Sequence, residues 1–218
     1  MKIDQRSYSG PAFRPSPMVL EEKLTETLLI ATSWGESNHA QITLDLVKDF
    51  LLLSQDPDAT TLGMSPEGSD PLLAKIHAGL VRANETLFQR ENSQEYLAAV
   101  EFAAISVEHG VLSWIQIGAP HLLIINEKGL QPVCYSPDLA AQWGQLSPLL
   151  ARGLGLERVC PVNSGTYRLK KGDHVVLVSR SDLPANFYQQ QAADLSSLSQ
   201  SLIDDNSEMP FWIAICEF

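Results

Sequence analysis

Positive charge is scarce in this sequence of 218 residues. It contains 15 lysines and arginines against 26 aspartates and glutamates, which gives a formal net charge of -11 at pH 7. Phosphate backbones bind to cationic protein surfaces, and this chain offers little cationic surface. We therefore expect no nucleic acid among its partners.

Cysteine is rare as well, and long apolar runs are missing. Cys134, Cys160 and Cys216 are odd in number and share no close spacing, so they suggest neither a disulfide framework nor a CxxC metal motif. Free thiols are typical of a reducing compartment. No run approaches the roughly 20 apolar residues of a membrane helix, and Met1–Pro17 has no apolar signal core. These absences predict a cytoplasmic protein that contacts no membrane.

The composition is otherwise that of a globular protein. Hydrophobic residues make up 44% of the chain and charged residues 19%, which is far from the disordered regime. A chain of this length can bury one sizeable core, so we expect a single domain over residues 1–218. Met1–Pro17 contains three prolines, which predict an irregular N-terminal lead-in.

The apolar pattern first predicts one strand followed by two helices. Thr27–Ser33 is an almost wholly apolar run of the kind found in buried strands. Amphipathic helices are predicted at Asn38–Leu53 and from Asp70 to about Arg90, separated by a loop at Gln55–Ser69. Asp70 followed by proline is a good helix start, because the carboxylate can cap the first turn.

Farther along the chain, the apolar period changes to two. Strands are predicted at Ala98–Glu108, Val111–Ile117 and Leu122–Asn126, as an antiparallel meander. A strand pair is predicted at Gly165–Leu169 and His174–Ser179.

The last predicted elements are a helix at Asn186–Ile203 and a strand at Pro210–Cys216. Antiparallel strands in runs, with helices grouped in pairs, indicate an α+β protein rather than a chain of βαβ units.

Three short stretches next to predicted strands carry a family resemblance: Leu29–Gly35, Ile117–His121 and Gly172–Arg180. They resemble, in order and separation, the core phrases of the PP2C (PPM) serine/threonine protein phosphatases, which read Ala-Asp-Gly-x-Gly, Gly-Asp-Ser-Arg and Gly-Asp-x-(apolar)3-x-Ser-Asp-Gly. Asp204–Glu208 resembles the fourth phrase, Asp-Asn-x-Thr. The matching positions are Ala31, Gly35, Gly118, Asp173, Ser179 and Asp205. The resemblance spans nearly the whole chain and implies a four-layer α-β-β-α sandwich, with two mainly antiparallel sheets flanked by helix pairs.

Most metal-binding acids of these phrases are replaced in this chain. In an ungapped match, Thr32, Ala119 and Arg180 stand where the family has aspartates, and Asp205 alone keeps its acid. Family enzymes hold two Mn²⁺ or Mg²⁺ ions between these carboxylates. Hard dications need several anionic oxygens, and a guanidinium repels them. The resemblance therefore implies no catalytic residue and no cofactor, and we expect Arg180 to form an ion pair with Asp205.

Two further carboxylates leave an alternative open. Asp182 reaches the third ligand position if the register shifts by two residues, and Glu36 follows the first phrase directly. With Asp205, these acids would give a divergent but active phosphoprotein phosphatase that uses Mn²⁺ or Mg²⁺. An acid before a strand is also a common turn or capping residue, and this interpretation of Asp205 stays open as well.

Arg14 and His121 complete the candidate site residues. Arg14 matches the arginine with which family enzymes hold the substrate phosphate, and His121 occupies the last position of the Gly-Asp-Ser-Arg phrase. The other four histidines are scattered without metal spacing. The sequence has no Gly-x-Ser-x-Gly elbow, P-loop or dinucleotide glycine motif, and Met1 provides no amino-terminal nucleophile.

The sequence thus favours a PP2C-like pseudophosphatase, a binding or regulatory protein whose partner is a phosphoprotein or another protein. The active Mn²⁺- or Mg²⁺-dependent phosphatase is the alternative. A purely structural subunit is the third hypothesis, and it predicts an exposed apolar patch on one helix pair.

Overall fold

Two compact units make up the computed structural model of this chain. The structure describes residues 1–35, 38–53, 70–143, 147–159 and 161–218. Unit 1 comprises Met1–Ser16, Gly118–Ala151 and Arg168–Phe218, and unit 2 comprises Pro17–Ile117 and Arg152–Tyr167. Each unit is built on one five-stranded sheet. The single domain over residues 1–218 stays a prediction.

The described residues form ten strands and four α-helices. The strands are β1 (Lys2–Tyr8), β2 (Met18–Glu22), β3 (Thr27–Gly35), β4 (Ala98–Glu108), β5 (Val111–Ile117), β6 (His121–Asn126), β7 (Gly129–Cys134), β8 (Asn163–Arg168), β9 (His174–Ser179) and β10 (Phe211–Glu217). The helices are α1 (His39–Leu53), α2 (Pro71–Thr86), α3 (Leu139–Trp143) and α4 (Leu195–Asp205). A π-helical turn at Leu87–Glu91 follows α2, and a 3-10 turn lies at Phe187–Gln189.

Unit 2 contains the sheet β2-β3-β4-β5-β8, in which β2, β3, β4 and β5 pair antiparallel. Alternate residues of β3 and β4 point to one face of this sheet, where α1 and α2 pack. Leu44 and Val47 of α1 and Leu80 of α2 are fully buried there. The helix α2 begins as predicted, since Asp70 Oδ1 accepts a hydrogen bond from the Leu72 amide at 2.9 Å.

Unit 1 contains the sheet β1-β10-β9-β6-β7, in which all neighbours are antiparallel. Leu198 and Leu202 of α4 pack against its apolar face. The helix α4 is shorter than predicted: it starts after Asp194, whose carboxylate caps it at the Ser197 amide. Because Asp194 satisfies the first turn there, the segment from 186 to 194 lies outside the helix.

Three predictions about strands are wrong. Lys2–Tyr8 is a strand that pairs along its length with β10, so the irregular lead-in predicted for residues 1–17 is wrong over that stretch. The predicted meander is interrupted, since β5 lies beside β8 in one sheet and β6 beside β7 and β9 in the other. The predicted pair of β8 and β9 is likewise divided between the two sheets. Apolar alternation specifies the faces of a strand but not its neighbours, and Gly118 turns the chain between β5 and β6 with φ at +71°.

The predicted fold class is confirmed: the protein is α+β, with two antiparallel sheets and helices packed on them. The buried run predicted as the first strand is β3, in which Leu28, Leu29 and Ile30 are at most 1% exposed. The predicted loop at Gln55–Ser69 lies outside the described residues. No helix in the described ranges is long and apolar enough to cross a membrane.

Candidate functional site

An ion pair in unit 1 joins Arg180 and Asp205, two residues predicted to correspond to metal-ligand positions of the family. Arg180 follows β9 directly, and Asp205 is the last residue of α4. Arg180 Nη2 donates to Asp205 Oδ2 at 2.9 Å, and Nη1 donates to the Asp182 carbonyl oxygen at 3.3 Å. The arginine side chain is 2% exposed and the aspartate side chain 34%. The expected ion pair between Arg180 and Asp205 is therefore present.

The burial of Arg180 explains why this pair matters. A guanidinium stays charged at any usable pH, and a charge that leaves water without a partner is strongly unfavourable. Asp205 supplies the counter-charge and a charge-assisted hydrogen bond. Because Asp205 keeps about a third of its side chain in solvent, its own desolvation is only partial.

A second buried ion pair lies close by in the same unit. Arg14 Nη1 donates to Asp138 Oδ2 at 2.9 Å, and the two side chains are only 2% and 3% exposed. Ser181 Oγ donates to the same carboxylate oxygen at 2.7 Å, and Asp138 Oδ1 accepts from the Ala140 amide at 2.8 Å. The guanidinium predicted to hold substrate phosphate thus binds a carboxylate of its own chain. Arg14 as a phosphate-binding residue stays a prediction.

His121 connects the segments that carry these two pairs. Its Nδ1 accepts from the Ser136 amide at 3.0 Å, so the ring proton is on Nε2, which donates to the Arg180 carbonyl oxygen at 3.0 Å. Burial lowers the pKa of His121 to about 4, with the charges of Arg14 and Arg180 acting in the same direction. Both ring nitrogens of this neutral histidine are therefore engaged by backbone groups of unit 1.

Asp182, the acid of the shifted register, is also engaged. The Tyr135 hydroxyl and the Leu183 amide both donate to its Oδ1, the latter at 2.7 Å. Burial, followed by this hydrogen bond, raises the pKa of the Tyr135 hydroxyl. The Tyr135 ring stacks on the His121 ring with centroids 4.8 Å apart. The exposed Asp182 therefore holds the Tyr135 hydroxyl beside the His121 ring.

The remaining predicted positions are dispersed. Thr32 is buried on β3 in unit 2, opposite Glu101 of β4. Ala119 is buried in unit 1, just before β6. Glu36 lies outside the described residues. The structure thus groups Arg14, Arg180, Asp182, Asp205 and His121 in one unit, and Thr32 belongs to the other.

Sequence reasoning missed four residues of this group: Tyr135, Ser136, Asp138 and Ser181. Asp138 had a usable signal, because an aspartate directly before a helix is a typical cap and Leu139 begins α3. Ser181 and Ser136 had none, since a serine hydroxyl and a backbone amide that bind distant partners leave no pattern in the sequence.

The donor set does not fit a two-metal centre. A pair of Mn²⁺ or Mg²⁺ ions needs several carboxylates. At the four positions predicted to correspond to family metal ligands, Thr32, Ala119, Arg180 and Asp205, only Asp205 is an acid, and its Oδ2 binds a cation. Across the described ranges, no group of three or more His, Cys, Asp or Glu side chains is arranged to hold a metal ion.

Solved structures place the fold. The chain superimposes on PppA of Pseudomonas aeruginosa, described as a key regulatory component of T6SS, with 13% identity, coverage of 98% of this chain and 96% of that chain, and a TM-score of 0.65. The serine/threonine phosphatase Stp1 of Staphylococcus aureus is 12% identical. The superposition covers 100% of this chain and 94% of that chain, with a TM-score of 0.65. The catalytic domain of the serine/threonine phosphatase PstP was solved in complex with two manganese ions. It is 17% identical, the superposition covers 98% of this chain and 96% of that chain, and the TM-score is 0.63.

These comparisons define the class of fold. The chain has the PP2C (PPM) serine/threonine phosphatase fold along nearly its whole length, as the resemblance of its short stretches predicted. No protein-family model matches the sequence, and no curated protein matches it. At identities this low the likeness concerns the fold, and the activity has to be argued from the side chains.

Proposed function

We propose that this protein is a PP2C-like pseudophosphatase, which binds or regulates a protein partner without two-metal catalysis. The single observation that carries this proposal is the ion pair between Arg180 and Asp205. Where the family phrases have two carboxylates, this chain has one carboxylate and a buried cation. The net charge of these two positions is zero instead of minus two.

The electrostatics of a bound dication follow from that difference. A metal ion at Asp205 would have to displace the guanidinium and then lie beside it. Two unit charges about 4 Å apart near a protein surface interact by roughly 4 kcal/mol, and a dication doubles the repulsion from Arg180. One remaining carboxylate cannot offset both this repulsion and the dehydration of the ion.

The partner we propose is a phosphoprotein or another protein. The shared fold supports this, because the phosphatases it resembles act on proteins and PppA is described as a regulatory component. The acidic net charge of -11 argues against nucleic acid. The cytoplasmic location and the lack of a resident cofactor belong to the same proposal.

Calorimetric titration with Mn²⁺ tests the absence of the metal centre. We expect no stoichiometric binding to the wild-type chain, with the catalytic domain of PstP as the positive control. Two variants separate the loss of the cation from the gain of an acid: Arg180→Met removes the charge, and Arg180→Asp also supplies a carboxylate. We expect measurable Mn²⁺ binding only for Arg180→Asp. Binding of two ions at micromolar affinity to the wild type would contradict the proposal.

Hydrolysis of p-nitrophenyl phosphate with excess Mn²⁺ tests the alternative directly. We expect no Mn²⁺-dependent turnover by the wild type. Turnover that disappears in Asp205→Ala would establish a divergent active phosphatase. Two of the acids on which this alternative depends already bind other side chains, since Asp205 pairs with Arg180 and Asp182 accepts from Tyr135.

A further inference from the structure

The strand β1 forms one edge of the sheet of unit 1. It pairs with β10 along its whole length, from Lys2 opposite Glu217 to Tyr8 opposite Phe211. On its other side, no strand in the described part of the chain pairs with it. Such an edge presents a row of unpaired amide and carbonyl groups, which is a template for another strand.

The composition of β1 has no backbone feature that blocks this edge, and its charged side chains restrict which partner strand can pair with it. Its sequence, KIDQRSY, has no proline or glycine, and most of its residues are exposed. The side chains of Lys2 and Asp4 are 69% and 61% exposed and contact each other at 3.3 Å. Arg6 is exposed as well. The charged side chains of the strand are therefore accessible to a partner.

The charges of β1 are self-complementary about Gln5. If two copies of the strand pair antiparallel with Gln5 opposite Gln5, Asp4 of each copy lies opposite Arg6 of the other. Directly opposite residues have Cβ atoms about 5 Å apart, close enough for an ion pair. A twofold axis generates the contact twice, which is the isologous arrangement of most homodimers.

Neighbouring registers lack this complementarity. Moving the axis to Asp4 sets Asp4 against Asp4 and Lys2 against Arg6, and moving it to Arg6 sets Arg6 against Arg6. An axis between residues would place opposing side chains on different faces of the sheet. The centred register is therefore the one that pairs all seven residues without opposing like charges.

We propose that β1 is the contact strand of a symmetric homodimer, in which the second copy of the chain adds its own β1 antiparallel about Gln5. The sheet of unit 1 then continues across the twofold axis. Each copy carries a net charge of -11, so association needs local charge complementarity of this kind. The contact is independent of whether the protein is an enzyme.

Sedimentation velocity over a concentration series up to about 100 µM tests the proposal. We expect the wild-type chain to dimerise. Asp4→Arg and Arg6→Asp should each weaken the dimer about tenfold or more, because each replaces both attractive pairs by repulsive ones. Mixing the two variants should give a heterodimer, and the double variant with both substitutions should dimerise like the wild type.

The controls address charge and folding. Glu127→Arg and Lys171→Asp make the same charge changes at exposed turn positions of unit 1 and should leave the dimer unchanged. Circular dichroism and thermal unfolding verify that each variant is folded. A monomeric wild type, a dimer insensitive to both substitutions, or a mixture that does not form heterodimers would each overturn the proposal.

Discussion

Arg180 and Asp205 lie 25 residues apart in the sequence, and their side chains meet at 2.9 Å where β9 and α4 end. The sequence predicts that the two residues correspond to metal-ligand positions of the third and fourth family phrases. A position that the family fills with an acid thus holds the cation that neutralises its neighbour. This relationship underlies the proposed function and the first prediction.

Asp205→Asn should destabilise the protein by about 2 kcal/mol, since it leaves a buried guanidinium without its counter-charge. We place the loss below that of a fully buried pair because Asp205 is partly exposed. The double variant Arg180→Met with Asp205→Asn should be more stable than Asp205→Asn alone, because it removes the unpaired charge. Urea unfolding measures all of these values. Asp205→Asn with wild-type stability would show that the pair is energetically neutral.

Asp138→Asn should be more damaging, with a loss of about 3 kcal/mol or more in the free energy of unfolding. Both partners of the pair between Arg14 and Asp138 are at most 3% exposed, and Asp138 also accepts from Ser181 and Ala140. Glu85→Gln is the matched control. Glu85 Oε2 lies 3.3 Å from Arg82 Nη1, and the Arg82 side chain is 58% exposed. That control should change stability by less than about 0.5 kcal/mol. Equal effects of the two substitutions would contradict the role we assign to burial.

His121 should make stability depend on pH below neutrality. Its pKa is about 4 in the folded protein against an ordinary value of 6.5. Between pH 4 and pH 6.5 the unfolded chain binds more protons than the folded protein, so the free energy of unfolding rises with pH. The contribution of His121 to stability is complete above about pH 6.5. The total effect is about 3 kcal/mol. Urea unfolding between pH 4 and 7 measures it.

His121→Asn should remove most of the rise in the free energy of unfolding between pH 4 and 7. A loss of stability that is the same at every pH would leave this expectation unchanged. Asn can still accept from the Ser136 amide but does not titrate. His109→Asn is the control, because His109 is exposed in a turn with φ at 51°, a conformation that Asn tolerates. An unchanged slope in His121→Asn would assign the pH dependence to other groups.

Asp70 should contribute to stability through two separate hydrogen bonds. Its Oδ1 caps α2 at the Leu72 amide, and its Oδ2 accepts from Ser113 Oγ at 2.5 Å. Asp70→Ala should cost about 2 kcal/mol, of which about 1 belongs to the cap. Ser113→Ala removes only the second bond, so a double-mutant cycle separates the two contributions. A coupling energy near zero would show that the bond to Ser113 contributes nothing.

The sequence alone predicted several elements because their causes are local. Aspartate followed by proline specifies the start of α2 through a cap one turn away, and the apolar run of β3 specifies a strand buried on both faces. The short stretches around Thr32, Ala119 and Arg180 predicted the fold class for a different reason: their order and separation follow a known family.

The neighbours of each strand were beyond local reasoning. The division of β5 and β6, and of β8 and β9, between two sheets depends on which edges meet in three dimensions. β1 has only the alternation of a polar strand, and its pairing with β10 joins the two termini of the chain. Sequence patterns carry no record of such long-range partners.

At the site, the residue types alone specify the charge of each predicted ligand position: Asp205 is an acid, Thr32 and Ala119 are neutral, and Arg180 is a cation. Which groups pair depends on the folded chain, which brings Arg180 to Asp205, Arg14 to Asp138 and His121 between Ser136 and Arg180. Desolvation explains why these groups pair at all. Burying a charge or a ring nitrogen without a hydrogen-bond partner is costly, and folding determines which distant residue supplies that partner.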